Sequence, residues 1–303
     1  MNLFEQKNIS PMLLYETTPF DDKDYIFELK FDGSRCIAYL DKNETILKNK
    51  RQKTLNATFP ELTRLHLDVK EKCILDGEIV VMKNGKPDFY TLQARSLLSN
   101  EFKIKYQVIK NPAVFVAYDI LYYKNKYVTT LPLIERKKLL AENIKESQYL
   151  VLSRYIEEKG NAFFDLAKKE NLEGIVAKEK NSLYYIGKRS KSWLKIKVLQ
   201  EEDVLICGYV KDEEGKLKDL VIAKYDDNNE LIYYGKIYMG ISKHDEKVIL
   251  EFAKKNKTKL LLKEIDDVNI VWIKPKLVGV IKYMMKTKKG GLRQPVFKGI
   301  KLD

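Results

Sequence analysis

Between Tyr25 and Val198 the chain returns repeatedly to runs of strand pattern, and only three stretches carry helical periodicity. That imbalance limits the fold more than any other feature. Strand patterns lie at residues 25–30, 36–40, 74–82, 114–121, 173–178 and 193–198, and helices are predicted at 60–71, 133–145 and 162–170. Asp32-Gly33-Ser34 supplies turn residues, so 25–30 and 36–40 read as a hairpin. The class is α+β, with long antiparallel strands and flanking helices. After Val198 the texture changes. Short strands at 204–211, 217–225 and 230–239 are separated by turns at Asp212-Glu-Glu-Gly and Asp226-Asp-Asn-Asn, then come a helix at 244–256 and strands at 268–273 and 277–285. Five strands and one helix suit a small Greek-key barrel such as an OB-fold, although the count alone also fits other small β domains. The expected domains are 1–198 and 199–303.

A chain of 303 residues buries a large core, and roughly two domains follow from the size prior. No apolar run approaches the roughly 20 residues of a membrane span. The start, Met1-Asn-Leu-Phe-Glu-Gln-Lys, lacks the basic-then-apolar layout of a leader, so the expectation is a cytoplasmic protein. Cys36, Cys73 and Cys207 are odd in number and far apart, and His66 and His244 are the only histidines. A disulfide framework and a zinc centre are therefore not expected, and any metal should be a hard cation on carboxylates and phosphates. The net charge of +13 favours a polyanionic partner, although Lys, Ile, Asn and Tyr are abundant together, as AT-rich coding also produces.

The stretch Glu28-Leu-Lys-Phe-Asp-Gly-Ser-Arg35 carries an amine, carboxylates and a guanidinium close together, with Glu28 and Lys30 on one strand face. A lysine attacks phosphorus or a carbonyl only when deprotonated, so Lys30 needs cationic or desolvating neighbours such as Arg35 and a magnesium ion. An exposed strand of alternating charge is the plainer alternative. In Ser192-Trp-Leu-Lys-Ile-Lys197, Trp193, Lys195 and Lys197 share a face, which suits either a solvated edge or the floor of an anion pocket. Glu78 sits inside the apolar strand around Asp76-Gly-Glu78 and must be paired, metal-bound or at a cleft edge; Glu173 offers a second carboxylate for magnesium. Tyr118 is either a core aromatic or a platform for a base.

Together these segments resemble ATP-dependent DNA ligases of the covalent nucleotidyltransferase superfamily, and are most similar to the ligase domain of bacterial end-joining ligases. The resemblance runs from Ser10-Pro-Met-Leu through Lys30-Phe-Asp-Gly-Ser-Arg35, Phe59-Pro-Glu-Leu62, Asp76-Gly-Glu78, Tyr118-Asp119, Glu173-Gly-Ile-Val-Ala-Lys178 and Trp193-Leu-Lys-Ile-Lys197 to Leu292-Arg-Gln-Pro-Val-Phe297. It implies an adenylation (nucleotidyltransferase) domain followed by an OB-fold domain. It also implies that Lys30 forms the covalent lysyl-AMP, with Glu28 at adenine, Arg35 at the ribose and phosphate, and Glu78 at the ribose. By the same resemblance Tyr118 stacks on adenine, Glu173 associates with magnesium (or manganese), and Arg189, Lys195 and Lys197 hold phosphate. Arg293 would help to orient pyrophosphate. Phenylalanine is usual where this chain has Tyr118, and in Asn49-Lys-Arg-Gln-Lys the nucleotide contact falls on Lys50 or Arg51.

The implied activity is sealing of nicks or ends in duplex DNA from ATP, in repair or end joining. The expected protein is monomeric, grips DNA with two domains or with help, and works beside a Ku-like end-binding protein, a separate polymerase and a nuclease. Alternatives are an RNA ligase or a capping guanylyltransferase, which share the lysine motif, and a non-catalytic DNA-binding module. An NAD-dependent ligase is disfavoured by Arg35 and by the missing zinc cysteines.

Overall fold

Residues 36–40, 73–81 and 113–122 bury nearly every side chain, and strands shielded on both faces need a packed layer on each side. The computed structural model describes residues 3–259, 262, 265, 269–287 and 290–301, in two units, Met1–Val198 and Leu199–Asp303. In chain order the first unit holds α1 (Leu3–Gln6), β1 (Leu13–Glu16), β2 (Asp22–Leu29), β3 (Ser34–Leu40), β4 (Thr45–Asn49) and a 3₁₀ helix (Pro60–Asp68). Next come β5 (Cys73–Lys83), β6 (Lys86–Pro87), α2 (Phe89–Ser96), α3 (Glu101–Lys110), β7 (Ala113–Tyr123), β8 (Lys126–Tyr127) and α4 (Leu133–Asn143). β9 (Leu150–Leu152), β10 (Tyr155–Glu158), α5 (Gly160–Lys169), β11 (Gly174–Glu179) and β12 (Arg189–Lys197) complete it.

One sheet runs β1-β12-β11-β2-β10 and the other β4-β3-β5-β7-β8, with β6 on β5 and β9 on β7. Strand alternation sorts side chains between layers. On β3, Cys36, Ala38 and Leu40 join Leu62, Leu75 and Phe115 in one core, whereas Ile37 and Tyr39 join Met12, Ile26 and Trp193 in a second. The second core draws on both sheets, which therefore face each other across it. On the far side of the first sheet, Phe27, Ile175 and Ile196 pack against Phe163 and Ala167 of α5.

The expected hairpin between 25–30 and 36–40 does not form. β2 pairs with β10 and β11, β3 pairs with β4 and β5, and the intervening residues cross from one sheet to the other. Two-residue hairpin turns need positive φ, which no described residue from Lys30 to Arg35 adopts. Gly33 serves close approach instead: a Cβ there would lie 2.4 Å from the Ile79 carbonyl oxygen and 2.6 Å from Glu78 Cγ.

Besides the single turn of α1, two helices escaped the periodicity. α2 is capped by Asp88, which accepts from Thr91 N at 2.6 Å, and α3 by Asn100, which accepts from Lys103 N at 3.0 Å. Of α3 only Ile104 is buried, so it has no apolar stripe toward the core to be seen. A buried fork fixes this region: Arg95 donates to Glu61 at 2.5 and 3.2 Å and to the Asn111 carbonyl at 2.7 Å. Phe59-Pro-Glu-Leu62 is thus a structural clamp.

In the second unit β13 (Gln200–Lys211), β14 (Leu217–Tyr225), β15 (Leu231–Ile237), β16 (Ile270–Tyr283) and β19 (Val296–Ile300) form one sheet in the order β15-β14-β13-β16-β19. β17 (Met285–Lys286) and β18 (Leu292–Arg293) make a short ladder, and α6 (Lys243–Asn256) begins at a capping box of Ser242 and Asp245. The strands expected at 268–273 and 277–285 are a single strand, β16, Val268 itself lying outside the described residues. Pro275 falls where the register with β13 shifts, between Gly208↔Trp272 and Ile206↔Leu277, so its missing N–H disturbs no ladder bond.

Candidate active site

A cavity of about 280 Å³ lies between the two sheets of the first unit. Glu28, Lys30, Arg35, Lys50, Glu78, Tyr118 and Lys195 line it. Lys30 follows β2, and its N–H donates to the Gly174 carbonyl at 2.9 Å, extending the ladder to β11. This pins the side chain next to the start of β11, where Lys30 Nζ donates to Glu173 Oε1 at 2.6 Å. Gly174 itself, with φ +142°, lets β11 lie close against β12, since a Cβ there would sit 2.1 Å from the Ile196 carbonyl oxygen.

Arg35 is aimed by its neighbours. Its Nε and Nη2 donate to the two Asp76 oxygens at 3.1 and 2.6 Å, and its Nη1 donates to the Met12 carbonyl at 2.6 Å. Tyr184 Oη donates to Asp76 Oδ2 at 2.7 Å and accepts from Met12 N at 3.0 Å. Asp76 is therefore paired, one of the outcomes open to a carboxylate in an apolar strand. Glu78, two residues along β5, points into the cavity, and its carboxyl is pushed up to about 8, chiefly by burial, with Arg35 and Lys30 opposing and Glu173 and Asp76 reinforcing.

The opposite end is aromatic and cationic. Lys178 Nζ lies 4.5 Å from the Tyr118 ring centroid and 4.1 Å from that of Trp193. Burial lowers its ammonium to about 8 against the pull of Glu28. Glu28 is itself buried: Oε2 accepts from Ser153 Oγ at 2.8 Å and Lys178 Nζ at 3.2 Å, and Oε1 is ion-paired with Lys137 of α4. Tyr118 also lies 5.6 Å from the Arg35 guanidinium, so its ring has two cations beside it.

Trp193, Lys195 and Lys197 share a face of β12 as expected, but Trp193 is buried and donates to Ser182 Oγ at 3.2 Å. Lys195 and Lys197 both pair with Glu16 Oε2, at 3.3 and 3.2 Å, and Lys197 is not among the cavity-lining residues. Arg189 is exposed and does not itself line the cavity, but it donates to the carbonyl of Leu14, which does. Of Lys50 and Arg51, Lys50 lines the cavity and Arg51 is exposed. Arg293 belongs to the second unit, on β18.

Asp76, Tyr184, Lys178, Lys137, Ser153 and Glu16 take part in the site without having been picked from the sequence as site residues. Asp76 and Lys178 sit inside recognised motifs and were within reach. Lys137 was not, since a lysine on a helix ordinarily faces solvent. Among the described residues no three His, Cys, Asp or Glu side chains cluster into a metal site, and no helix is long and apolar enough to cross a membrane.

Comparison with known proteins agrees with this arrangement. The profile of the ATP dependent DNA ligase domain matches residues 11–197, and that of the ATP dependent DNA ligase C terminal region matches 213–303. The SPbeta prophage-derived DNA ligase-like protein LigB of Bacillus subtilis (strain 168) is 34% identical over 292 residues, covering 95% of this chain and 97% of LigB. The multifunctional non-homologous end joining protein LigD of Mycolicibacterium smegmatis is 26% identical over 99% of this chain, which spans only 40% of LigD. A structure of mycobacterial DNA ligase D complexed with ATP and MES superposes with a TM-score of 0.58 at 26% identity, over 98% of this chain and 96% of that one. A nucleotidyltransferase unit and an OB-fold unit, each matched over most of its length by its ligase profile, make this chain a member of the ATP-dependent DNA ligase family.

Proposed function

We propose that this ligase seals breaks in duplex DNA through a covalent intermediate on Lys30. The observation that carries the reading is the convergence on one cavity of Lys30 with Glu173, the Tyr118 ring, and the cations Arg35, Lys50 and Lys195. Lys30 Nζ attacks the α-phosphorus of ATP, forming a P–N bond while the P–O bond to pyrophosphate breaks. AMP then passes to a 5′-phosphate at the break, and the neighbouring 3′-hydroxyl displaces AMP. Glu173 orients Nζ for the first step, Tyr118 stacks on the base, and Glu28 and Glu78 contact base and ribose. Lys50, Lys195, Lys197 and Arg189 attract phosphate, with Arg51 at the rim, and Arg293 of the second unit orients pyrophosphate.

The donor set fits magnesium or manganese. A hard cation that arrives on nucleotide phosphates needs only one or two carboxylates; Glu78 lines the cavity and Glu173 sits on Lys30 Nζ beside it, and these two would hold it. Bound there, the cation neutralises phosphate charge. DNA as substrate implies a cytoplasmic protein at the nucleoid, and the likeness to LigD extends the proposal to end joining as a monomer beside a Ku-like protein and a repair polymerase.

The test is incubation of purified protein with α-labelled ATP and magnesium. Label should appear on the wild type and be absent from Lys30→Ala and from Lys30→Arg, whose guanidinium stays protonated. Labelled Lys30→Ala protein would sink the assignment.

A further inference from the structure

A second hollow, of about 470 Å³, adjoins the cavity in the first unit. Its floor continues two strand faces. On β5, Ile79 and Val81 turn to the core while Glu78, Val80 and Met82 stand on the opposite face; on β7, Phe115 and Ala117 turn to the core, leaving Tyr118, Val116 and Val114. Glu78 and Tyr118 line the cavity, and the next two residues of each row line the hollow. The same pair of strands thus passes from a polar floor to an apolar one. Leu29 and Phe31, on either side of Lys30 in sequence, line both spaces, so the nucleophile stands where they meet.

The hollow is open rather than filled. Met82 on its floor is 41% exposed and Tyr155 on its β10 wall 37%, although both side chains are large and mostly apolar. Among the described residues its lining carries one charged group, Arg154, which is exposed and donates to Glu146 at its Oε2. An apolar space of this volume with a few polar groups at the rim has the make-up of a ligand site. The last step of sealing says what belongs in it. Once AMP fills the side of Glu28, Tyr118 and Glu78, the 3′-hydroxyl has to attack the 5′-phosphorus roughly in line with, and opposite to, the departing AMP. The sugar that bears this hydroxyl must then lie beside Lys30 but outside the nucleotide cavity, which is where the hollow is.

We propose that the hollow floored by Val80, Met82, Val114 and Val116 seats the sugar of the strand end that carries the 3′-hydroxyl, with Arg154 on a phosphate of that strand. The inference rests on the three-step ligase reading given above. A nucleotide sugar presents mainly C–H along its ring, which suits the apolar floor, while the flanking phosphate is the charged part and suits a guanidinium at the rim. Arg154 is held by one carboxylate oxygen and is free to exchange it. In the step itself the 3′-oxygen forms a bond to the 5′-phosphorus, the bond from that phosphorus to AMP breaks, AMP leaves with the electron pair, and the hydroxyl proton passes to solvent. The apolar lining also keeps water, the competing nucleophile, away from the adenylated end.

The experiment separates the first step from the last in the full chain. Met82→Glu puts a carboxylate on the open part of the floor, at a residue that does not line the nucleotide cavity. With α-labelled ATP this variant should take label as wild type does. On a nicked duplex that already carries AMP on its 5′-phosphate, with no ATP added, its single-turnover sealing should fall about tenfold or more, because the 3′-hydroxyl leaves the line of attack. Met82→Leu should seal at the wild-type rate. Binding gives a second readout: wild type should hold the pre-adenylated nick more tightly than the same duplex lacking its 3′-terminal nucleotide, and Met82→Glu should hold the two alike. Arg154→Ala, a surface change, should weaken binding to the nick and reduce the log-log salt slope by about 0.9. If the thermal midpoint of Met82→Glu collapses, Met82→Gln is read the same way. Normal sealing in a folded Met82 variant overturns the proposal, as does a loss of label equal to the loss of sealing. Failure of wild type to take label, or to seal the pre-adenylated nick, would instead remove the ligase reading on which the proposal rests.

Discussion

Two sets of ion pairs in the first unit are built on opposite principles. Arg136–Asp119 and Arg95–Glu61 are forks whose side chains are 0–1% exposed, and both also donate to backbone carbonyls: Arg136 Nη1 to Leu131 at 2.6 Å and to Ser182 at 2.9 Å, and Arg95 Nη1 to Asn111 at 2.7 Å. Lys30 on Glu173, and Lys195 and Lys197 sharing Glu16, are instead lysines held at a single point and partly open to solvent, while Arg35 of the cavity wall is itself forked on Asp76 and belongs with the first set. A guanidinium fork is over-determined and holds elements together, whereas an ammonium on one carboxylate oxygen exchanges that oxygen for a phosphate oxygen at little cost. The difference marks which charges are scaffold and which are free to work.

The largest effect should come from breaking a fork. Asp119→Ala leaves Arg136 buried without its carboxylate, and removing one member of such a pair costs about 3–5 kcal/mol. At about 2–4 °C per kcal/mol for a unit of this size, the thermal midpoint should fall by roughly 10 °C or more. Replacing both partners, as in Asp119→Leu with Arg136→Met, should recover much of the loss, since no charge is then stranded. A near-neutral Asp119→Ala would mean that the buried forks are no more structural than the cavity pairs.

Glu173→Gln probes the other set. It keeps the shape at Lys30 Nζ but removes the charge, so the midpoint should move by less than a few degrees while self-adenylation falls by about 10²-fold or more. Measuring midpoint and single-turnover rate on one preparation decides it. A lowered midpoint with an unchanged rate would move Glu173 into the scaffold.

What the sequence disclosed follows the same division. Lys30, Glu78, Tyr118 and Lys195 stand in short motifs whose residue types announce chemistry, and all line the cavity. The hairpin expected around Gly33 failed because Asp-Gly-Ser is a turn signal on a local scale, while strand pairing was decided by burial on both faces of β2 and β3, which is a property of distant segments. α3 went unread because it buries a single residue and so leaves no periodic trace. Lys137 and Tyr184 act through partners 109 and 108 positions away, since Lys137 meets Glu28 and Tyr184 meets Asp76, and nothing in the residues adjacent to them reports that.

A smaller effect belongs to Glu78, on the cavity side but more enclosed than the lysines. Burial raises its carboxyl from 4.5 to about 8 despite Arg35 and Lys30. Between those values the unfolded chain has released a proton that the folded chain keeps, so the stability from this group is complete below about 4.5 and is lost as pH rises to about 8. Glu78→Gln should therefore gain in midpoint relative to wild type from pH 5 to pH 8 in chelator-containing buffer. A difference that does not change with pH would mean that burial does not hold the Glu78 proton in the folded chain. For wild type, the magnesium needed for half-maximal labelling should fall as pH rises through 8, because the ionised carboxylate is the better ligand.

The smallest expected change is the sharpest test of exchangeability. Glu16 Oε2 is shared by Lys195 and Lys197, which outweigh its burial and hold its carboxyl below the ordinary range. The carboxylate is about half exposed, so the pair contributes at most about 1 kcal/mol and Glu16→Gln should leave the midpoint nearly unchanged. If the two lysines are phosphate ligands held in reserve, Glu16 competes with the incoming phosphate for both, and the neutral variant should bind ATP about two- to threefold more tightly at low salt. Raising the ionic strength should erase that gain, since the competing attraction is screened over the same distances. The contrary result is equally informative: weaker ATP binding in Glu16→Gln would mean that the carboxylate aligns Lys195 and Lys197, and that these lysines belong with the forks.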